Sequence, residues 1–290
     1  MTDAPTRRGG EGRQRDLSRP PPPEPLPMPV ADTHCHLDIA DETEPWPVEE
    51  ALAAASAVGV PRVVQVGCNR EGARWAVECA AAYDAVVATV ALHPNEAPRL
   101  GRRGELDEAL AEVDELAARP RVRAVGETGL DYFRTGPDGR QLQESSFRTH
   151  IAMAKKHGKA LVIHDRDAHA DVLRVLDEEG APDVTVFHCF SGDSAMARHC
   201  AERGWYLSFA GTVTFKNADP LRDALAATPL ERLLVETDAP YLTPSPYRGR
   251  PNASYLVPLT VRAMAEMLRV PDERLCAALA DNTGRAFGTW

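Results

Sequence analysis

Several short apolar runs in this chain end in side chains able to bind a metal ion. The first ends Asp32-Thr33-His34-Cys35-His36-Leu37-Asp38. Residues two apart on an extended strand point to the same side, so His34 and His36 face one point together and Cys35 faces away. Later runs end in Gly126-Glu127-Thr128-Gly129-Leu130-Asp131-Tyr132, Val162-Ile163-His164-Asp165-Arg166, Phe187-His188-Cys189-Phe190-Ser191-Gly192 and Val235-Glu236-Thr237-Asp238-Ala239-Pro240. The candidate ligands are therefore His34, His36, Glu127, His164, His188 and Asp238. One tetrahedral site uses only three or four such groups. This larger set, with a central carboxylate able to bridge, suits two divalent ions about 3.5–4 Å apart. Such a pair activates a water and stabilises the attacking and leaving oxygens of an in-line displacement. Mixed imidazole and carboxylate ligands accept Mg²⁺, Mn²⁺ or Zn²⁺ and do not choose among them.

Side chains so far apart in sequence need a scaffold that gathers them. Apolar, often Val-rich runs recur near 30–33, 60–66, 85–91, 121–126, 160–163, 184–187, 205–209 and 232–235, which suits strands buried on both faces. Helical candidates lie between and after them at 48–58, 70–82, 105–118, 139–157, 168–179, 193–203, 217–226, 252–269 and 272–281. Pro120, Gly158 and Gly180 mark expected helix ends, and Asp193 an expected N-cap. Eight strands alternating with helices predict an α/β protein, a single (β/α)8 barrel over residues 30–290. The rival open doubly wound sheet usually carries a Gly-rich phosphate loop after its first strand, where this chain has histidines. In a barrel all the strand C-termini meet at one face, which brings the candidate ligands together. Residues 1–29, rich in Pro, Gly and Arg, predict a disordered tail that cannot bury enough apolar surface to offset its ordering entropy.

Composition bounds the function. The chain has 290 residues, 43% of them hydrophobic, and a formal net charge of −10. An acidic chain argues against coating long duplex DNA, but not against holding a few phosphates through metal ions and local Arg or Lys. Its six cysteines are scattered and include no CxxC pair, which reads as reduced thiols. Cys35 and Cys189, beside the histidines, read either as ligands or as small buried hydrophobes. With no apolar run of membrane-spanning length and no apolar core for a signal peptide, a cytoplasmic protein without membrane partners is expected, and a monomer.

The strings DTHCHLD, GETGLDY, VIHDR, HCFSG, GTVTFKNA and ETDAPYLTP, in this order, resemble the TatD family of metal-dependent deoxyribonucleases over about residues 30–287. The resemblance implies a TIM barrel of the amidohydrolase type. It also implies phosphodiester hydrolysis, including 3′–5′ exonuclease action on DNA ends, single-stranded or frayed. It places His34, His36, Glu127 and Asp238 on one metal ion and Glu127, His164 and His188 on a second. Glu127 and Asp238 become the catalytic carboxylates, Glu127 as the bridge and Asp238 as the group that orients the water and takes its proton. Arg166, Lys216 and Arg250 are candidate phosphate contacts. His93 either lines the pocket or bonds a loop carbonyl, and Asp131 either orients a ligand histidine or pairs with an arginine. The chain departs from the family pattern at Asn95, where a histidine is usual, and in Arg248-Gly249-Arg250-Pro251-Asn252-Ala253-Ser254, where the Asn matches and a usual Glu is absent. Two other readings use the same centre: a small-molecule amidohydrolase or lactonase, and a D-aminoacyl-tRNA deacylase. The first often bridges its metals with a carbamylated lysine on the fourth strand, where this chain has Glu127.

Overall fold

The computed structural model describes residues 16–40 and 46–290. The apolar runs form eight parallel strands in the order β1-β2-β3-β4-β5-β6-β7-β8. They are β1 Ala31–Cys35, β2 Arg62–Gly67, β3 Val86–Val90, β4 Val122–Asp131, β5 Ala160–Arg166, β6 Thr185–Phe187, β7 Tyr206–Phe209 and β8 Leu233–Val235. The seam between β8 and β1 closes through backbone bonds just past the strand ends. Asp238 N–H donates to His34 O at 2.9 Å and His36 N–H to Ala239 O at 2.8 Å. The expected (β/α)8 barrel is the observed fold.

Strand periodicity explains where the chemistry sits. Val64, Val87, Ala124, Val162, Val186, Tyr206 and Leu234 pack together as one apolar layer, with Phe287 among them and Trp290 packed against them. Two residues further along β5 to β8, on the same side of each strand, come His164, His188, Ser208 and Glu236. One pleat separates the greasy plug from the polar mouth. The alternate strand residues, such as Val63, Val86, Leu161 and Leu207, join the larger cluster shared with the helices.

The helices are α1 Val48–Ala57, α2 Arg70–Ala82, α3 Glu96–Arg103, α4 Leu106–Ala117, α5 Pro137–His157, α6 His169–Glu179, α7 Ser194–Glu202, α8 Asp219–Ala227, α9 Val257–Leu268 and α10 Asp272–Phe287. Asp193 caps α7 as expected, accepting from Ala195 and Met196 N–H at 2.9 Å. The helix α3 lies outside the expected helical segments, although it carries Pro98 and Gly101. Pro98 falls in its first turn, where the missing N–H costs nothing. Helix α9 begins later than residue 252, after a short 3₁₀ turn at Ser254–Leu256. Strand β4 runs beyond the expected 126 to Asp131, pairing with β5 up to Asp131↔Arg166. Gly129 makes this possible. Its φ is +136°, and a Cβ there would stand 2.1 Å from His164 O.

The expectation of a disordered tail over 1–29 is corrected for residues 16–29; residues 1–15 lie outside the described residues. Leu26 is 7% exposed in the main core, a burial that contributes about 1.5–3 kcal/mol. Its N–H donates to Val58 O and that of Val30 to Gly59 O, both at 3.0 Å. Tyr255 hydroxyl donates to Pro20 O at 2.6 Å, Arg262 to Pro25 O at 3.0 Å, and Arg19 lies over the Trp46 ring at 4.2 Å. Proline-rich backbone has few donors of its own, so barrel side chains satisfy its carbonyls. Among the described residues no helix is long and apolar enough to cross a membrane.

Candidate metal centre

Glu127 stands at the middle of the mouth, late in β4, 4% exposed. Its two carboxylate oxygens serve different neighbours. Oε1 is 3.9 Å from His34 Nε2 and 3.8 Å from His36 Nε2. Oε2 is 2.7 Å from His188 Nε2 and 3.1 Å from His164 Nδ1. Asp238 closes the first group, with Oδ1 3.5 Å from His36 Nε2 and 3.8 Å from His34 Nε2. Ligand atoms about 2.1 Å from one shared ion stand about 3.0–3.4 Å from one another. Both groups lie near that spacing, and one carboxylate belongs to both.

His34 supplies a test of whether this set fits a cation. It is fully buried, and neither Nδ1 nor Nε2 has a hydrogen-bond partner. An imidazole buried without partners is costly; as a ligand to a cation its Nε2, which faces Glu127 and Asp238, gains one. The residues fit divalent metal ions bound by His34, His36, Glu127 and Asp238 on one side and Glu127, His164 and His188 on the other.

The electrostatics agree. Burial, with His188 next, holds the His34 imidazole well below its usual range, keeping it neutral as a ligand must be. Burial works to raise the Glu127 carboxyl, but His188 and the hydrogen bonds from His164 and His188 outweigh it and hold it well down. Burial would lower His36, yet Asp238 and Glu127 lift it to about 9. That field favours positive charge at the mouth, and a divalent ion placed in it displaces the proton.

A set of supporting residues orients the ligands. Val66 O accepts from His36 Nδ1 at 3.1 Å, which leaves Nε2 for the site. Glu236, fully buried, holds His188 Nδ1 at 3.2 Å and accepts from Cys189 N–H at 2.8 Å. Burial pushes the Glu236 carboxyl up, and His188 pulls it back. Asp131 Oδ2 lies 3.4 Å from His164 Nε2, close enough to pair electrostatically but not aligned as a hydrogen bond. Cys68 Sγ donates to Glu127 Oε1 at 3.1 Å. Asp32, at the start of the first motif, accepts from Thr237 N–H at 2.9 Å and Thr237 Oγ1 at 2.5 Å. Asn252 Nδ2 donates to the carbonyls of Thr237 and Tyr241. These two residues brace the turn that presents Asp238 at φ +54°, a left-handed conformation unusual for an aspartate. Asp32 and Asn252 were in view as parts of motifs, and nothing in local spacing gave them this work.

The outer residues divide. A cleft of 780 Å³ is lined by Glu127, His164, His188 and Asp238 and also by Arg134, Arg166 and His93. Arg166 lies at its wall with the guanidinium 4.0 Å from the Phe133 ring. Arg134 was missed, having no motif of its own. His93 sits beside His164, ring centroids 4.5 Å apart, and its Nδ1 accepts from Asn95 N–H at 3.1 Å, so it lines the pocket and bonds no loop carbonyl there. Asn95 Nδ2 donates to Asp131 at 3.0 Å. Two expected phosphate contacts are corrected. Lys216 is exposed and lines no cavity of the mouth, while its neighbours Phe215 and Asn217 do. Arg250 donates to Ser18 O at 3.0 Å and to Ser18 Oγ and Arg19 O at 2.9 Å, so its guanidinium is already engaged by the N-terminal segment. Cys35 is buried and donates weakly to Val64 O at 3.6 Å, and it packs as a small hydrophobe.

Known proteins resemble this chain over nearly its whole length. The family described as TatD related DNase matches residues 31–288. The chain is 47% identical to an uncharacterized metal-dependent hydrolase, TatD, of Mycobacterium tuberculosis over 261 residues, 89% of this chain and 97% of that one. It is 38% identical to the metal-dependent hydrolase YabD of Bacillus subtilis over 257 residues, 88% and 98% of the two chains. The crystal structure of YJJV, a TatD homologue of Escherichia coli K12, superposes with a TM-score of 0.81 at 28% identity, covering 90% of this chain and 98% of that one. The barrel, the carboxylate shared between two histidine pairs and these likenesses together establish that the chain belongs to the TatD family of metal-dependent hydrolases.

Proposed function

We propose that the protein is a deoxyribonuclease that uses two divalent cations to hydrolyse phosphodiester bonds, shortening DNA from the 3′ end. The observation that carries this reading is Glu127, one carboxylate whose two oxygens face two separate histidine pairs. Bound there, a pair of cations would polarise a phosphodiester and lower the pKa of a water. The chain's own groups complete the chemistry. The Asp238 carboxylate, held at the cleft by its braced turn, orients the attacking water and accepts its proton. Arg166 and Arg134, at the wall of the same cleft, are placed to grip phosphate oxygens through paired N–H donors. His93, whose pKa burial depresses to about 4, is neutral at physiological pH and offers a hydrogen bond without charge. The family description, a TatD related DNase, supports the choice of DNA. The net charge of −10 favours a substrate clasped by one end, where few phosphates need neutralising.

The test is a 5′-labelled single-stranded oligonucleotide incubated with Mg²⁺, Mn²⁺ or EDTA, beside an Asp238→Asn variant. A metal-dependent ladder shortening from the 3′ end, absent from the variant, is the expected result. Absence of cleavage by folded, metal-loaded protein overturns the DNA reading and directs attention to lactones and D-aminoacyl-tRNA.

A further inference from the structure

A second cavity, of 540 Å³, opens beside the metal cleft. The two share Cys189, Ser191 and Thr212 in their walls, so a molecule bound at the metals can extend into it. Its lining is of two kinds. Phe190, Phe215 and Leu221 make it apolar, Arg248 supplies a cation and His169 an imidazole. The Arg248 guanidinium lies 4.3 Å from the centre of the Phe215 ring, a stacked platform of the sort on which bases of single strands settle. His169, the first residue of α6, has Nδ1 2.7 Å from Asp165 Oδ2. Asp165 is 5% exposed and lines the metal cleft, so a buried carboxylate of one chamber fixes the histidine of the other. The acid in the wall, Asp193, is occupied by the backbone of α7. A lactone or simple ester has no use for a remote cation beside an aromatic platform; the unit that needs both is a nucleotide.

We propose that this cavity is the subsite for the nucleotide adjoining the scissile phosphodiester, its base on the Phe215–Arg248 platform and its phosphate paired with His169. The proposal rests on the deoxyribonuclease reading for its substrate, and its test separates the two. Wild type, Phe215→Ala and His169→Asn are each assayed with Mn²⁺ on a single-stranded oligonucleotide and on bis(p-nitrophenyl) phosphate, which has no neighbouring nucleotide. Binding of a fluorescent oligonucleotide in EDTA is measured alongside. The ratio of kcat/KM on the oligonucleotide to that on the small diester is expected to fall about five- to a hundredfold in Phe215→Ala, the range for losing one stacking platform. The oligonucleotide Kd is expected to rise by a similar factor, and His169→Asn is expected to flatten the salt dependence of binding. Equal losses on both substrates, or none on either with an unchanged Kd, overturn the subsite. Wild-type protein that cuts neither substrate overturns the nuclease reading instead, and the Kd comparison then decides the subsite alone.

Discussion

Asn252 gives a demanding test of how the Asp238 turn is held. Its side chain is 3% exposed. It donates one N–H to Thr237 O at 3.0 Å and another to Tyr241 O, clasping the turn on both sides of Asp238. Truncation to alanine strands the Thr237 carbonyl in a residue only 2% exposed, at about 1–3 kcal/mol. Tyr241 is 45% exposed, so water can replace its bond at little cost. Asn252→Ala is therefore expected to destabilise by about 2–3 kcal/mol. Asn252→Asp keeps the shape and is expected to be worse, by about 3–5 kcal/mol, because a buried carboxylate then faces two carbonyl oxygens with no donor between them. Burial and those oxygens would raise the pKa of the introduced acid above its unfolded value of about 3.9. Its penalty is then full above the folded pKa and is relieved as pH falls through it, since the protonated acid can again donate. Urea unfolding followed by circular dichroism measures this order as falling midpoints at unchanged slope. Turnover per metal-loaded enzyme should fall with it, a displacement of about 1 Å costing about 10²-fold. An Asn252→Asp protein as stable as Asn252→Ala at neutral pH, or an alanine variant within about 0.5 kcal/mol of the parent, would refute the clasp.

Three further outcomes are expected. Glu127→Gln should lower Mn²⁺ bound per chain in equilibrium dialysis from two to one or none, and retention of two would show that the carboxylate does not bridge. Gly129→Ala should abolish soluble protein or lower the melting temperature sharply, because its Cβ would stand 2.1 Å from His164 O; a normal melt would refute the tight β4–β5 contact. On the outer face of α5 and α6, hydrogen bonds from Arg174 and Arg148 hold the Glu144 carboxyl below its usual 4.5. This contributes stability above pH 4.5 that is lost as pH falls through the lowered value, and at its partial exposure Glu144→Gln should cost no more than about 1 kcal/mol, checked by melts at neutral and acid pH.

The legible part of this protein is the part written locally. Strand runs and the metal-competent residue after each could be read because a strand buried on both faces has its own composition and a period of two. His34, His36, Glu127, His164, His188 and Asp238 follow from that pattern once the strands curl into a barrel. Asp32, Glu236 and Cys68 do their work across the seam or between strands distant in sequence, and Asn252 reaches back 15 residues along its own loop to Thr237; no spacing rule announces such pairs. The same holds for Arg250. An arginine in a loop near the site reads as a phosphate grip, and only the fold reveals that Ser18 and Arg19 already occupy it. Helix α3 lies outside the expected segments; Pro98 and Gly101 break a helix on average but not at these positions, one in the first turn and the other against Leu142. The Phe215 platform was overlooked in favour of Lys216 beside it, because charge is easier to see in a sequence than a cavity wall.

The engagement of residues 16–29 has a consequence for how this barrel is inherited and moved. The family likeness starts at residue 31, yet Leu26 is in the core and Pro20 and Pro25 are held by Tyr255 and Arg262. The edge of the family match is thus not the edge of the fold. The lead-in segment is fitted to the turn after α1 and to the chain beyond β8 of its own barrel. A graft, a chimera or a tag joined at residue 30 would exchange that fitting for whatever sequence came with it. Its first effect should be felt on Arg250, two residues from the asparagine that steadies the catalytic turn.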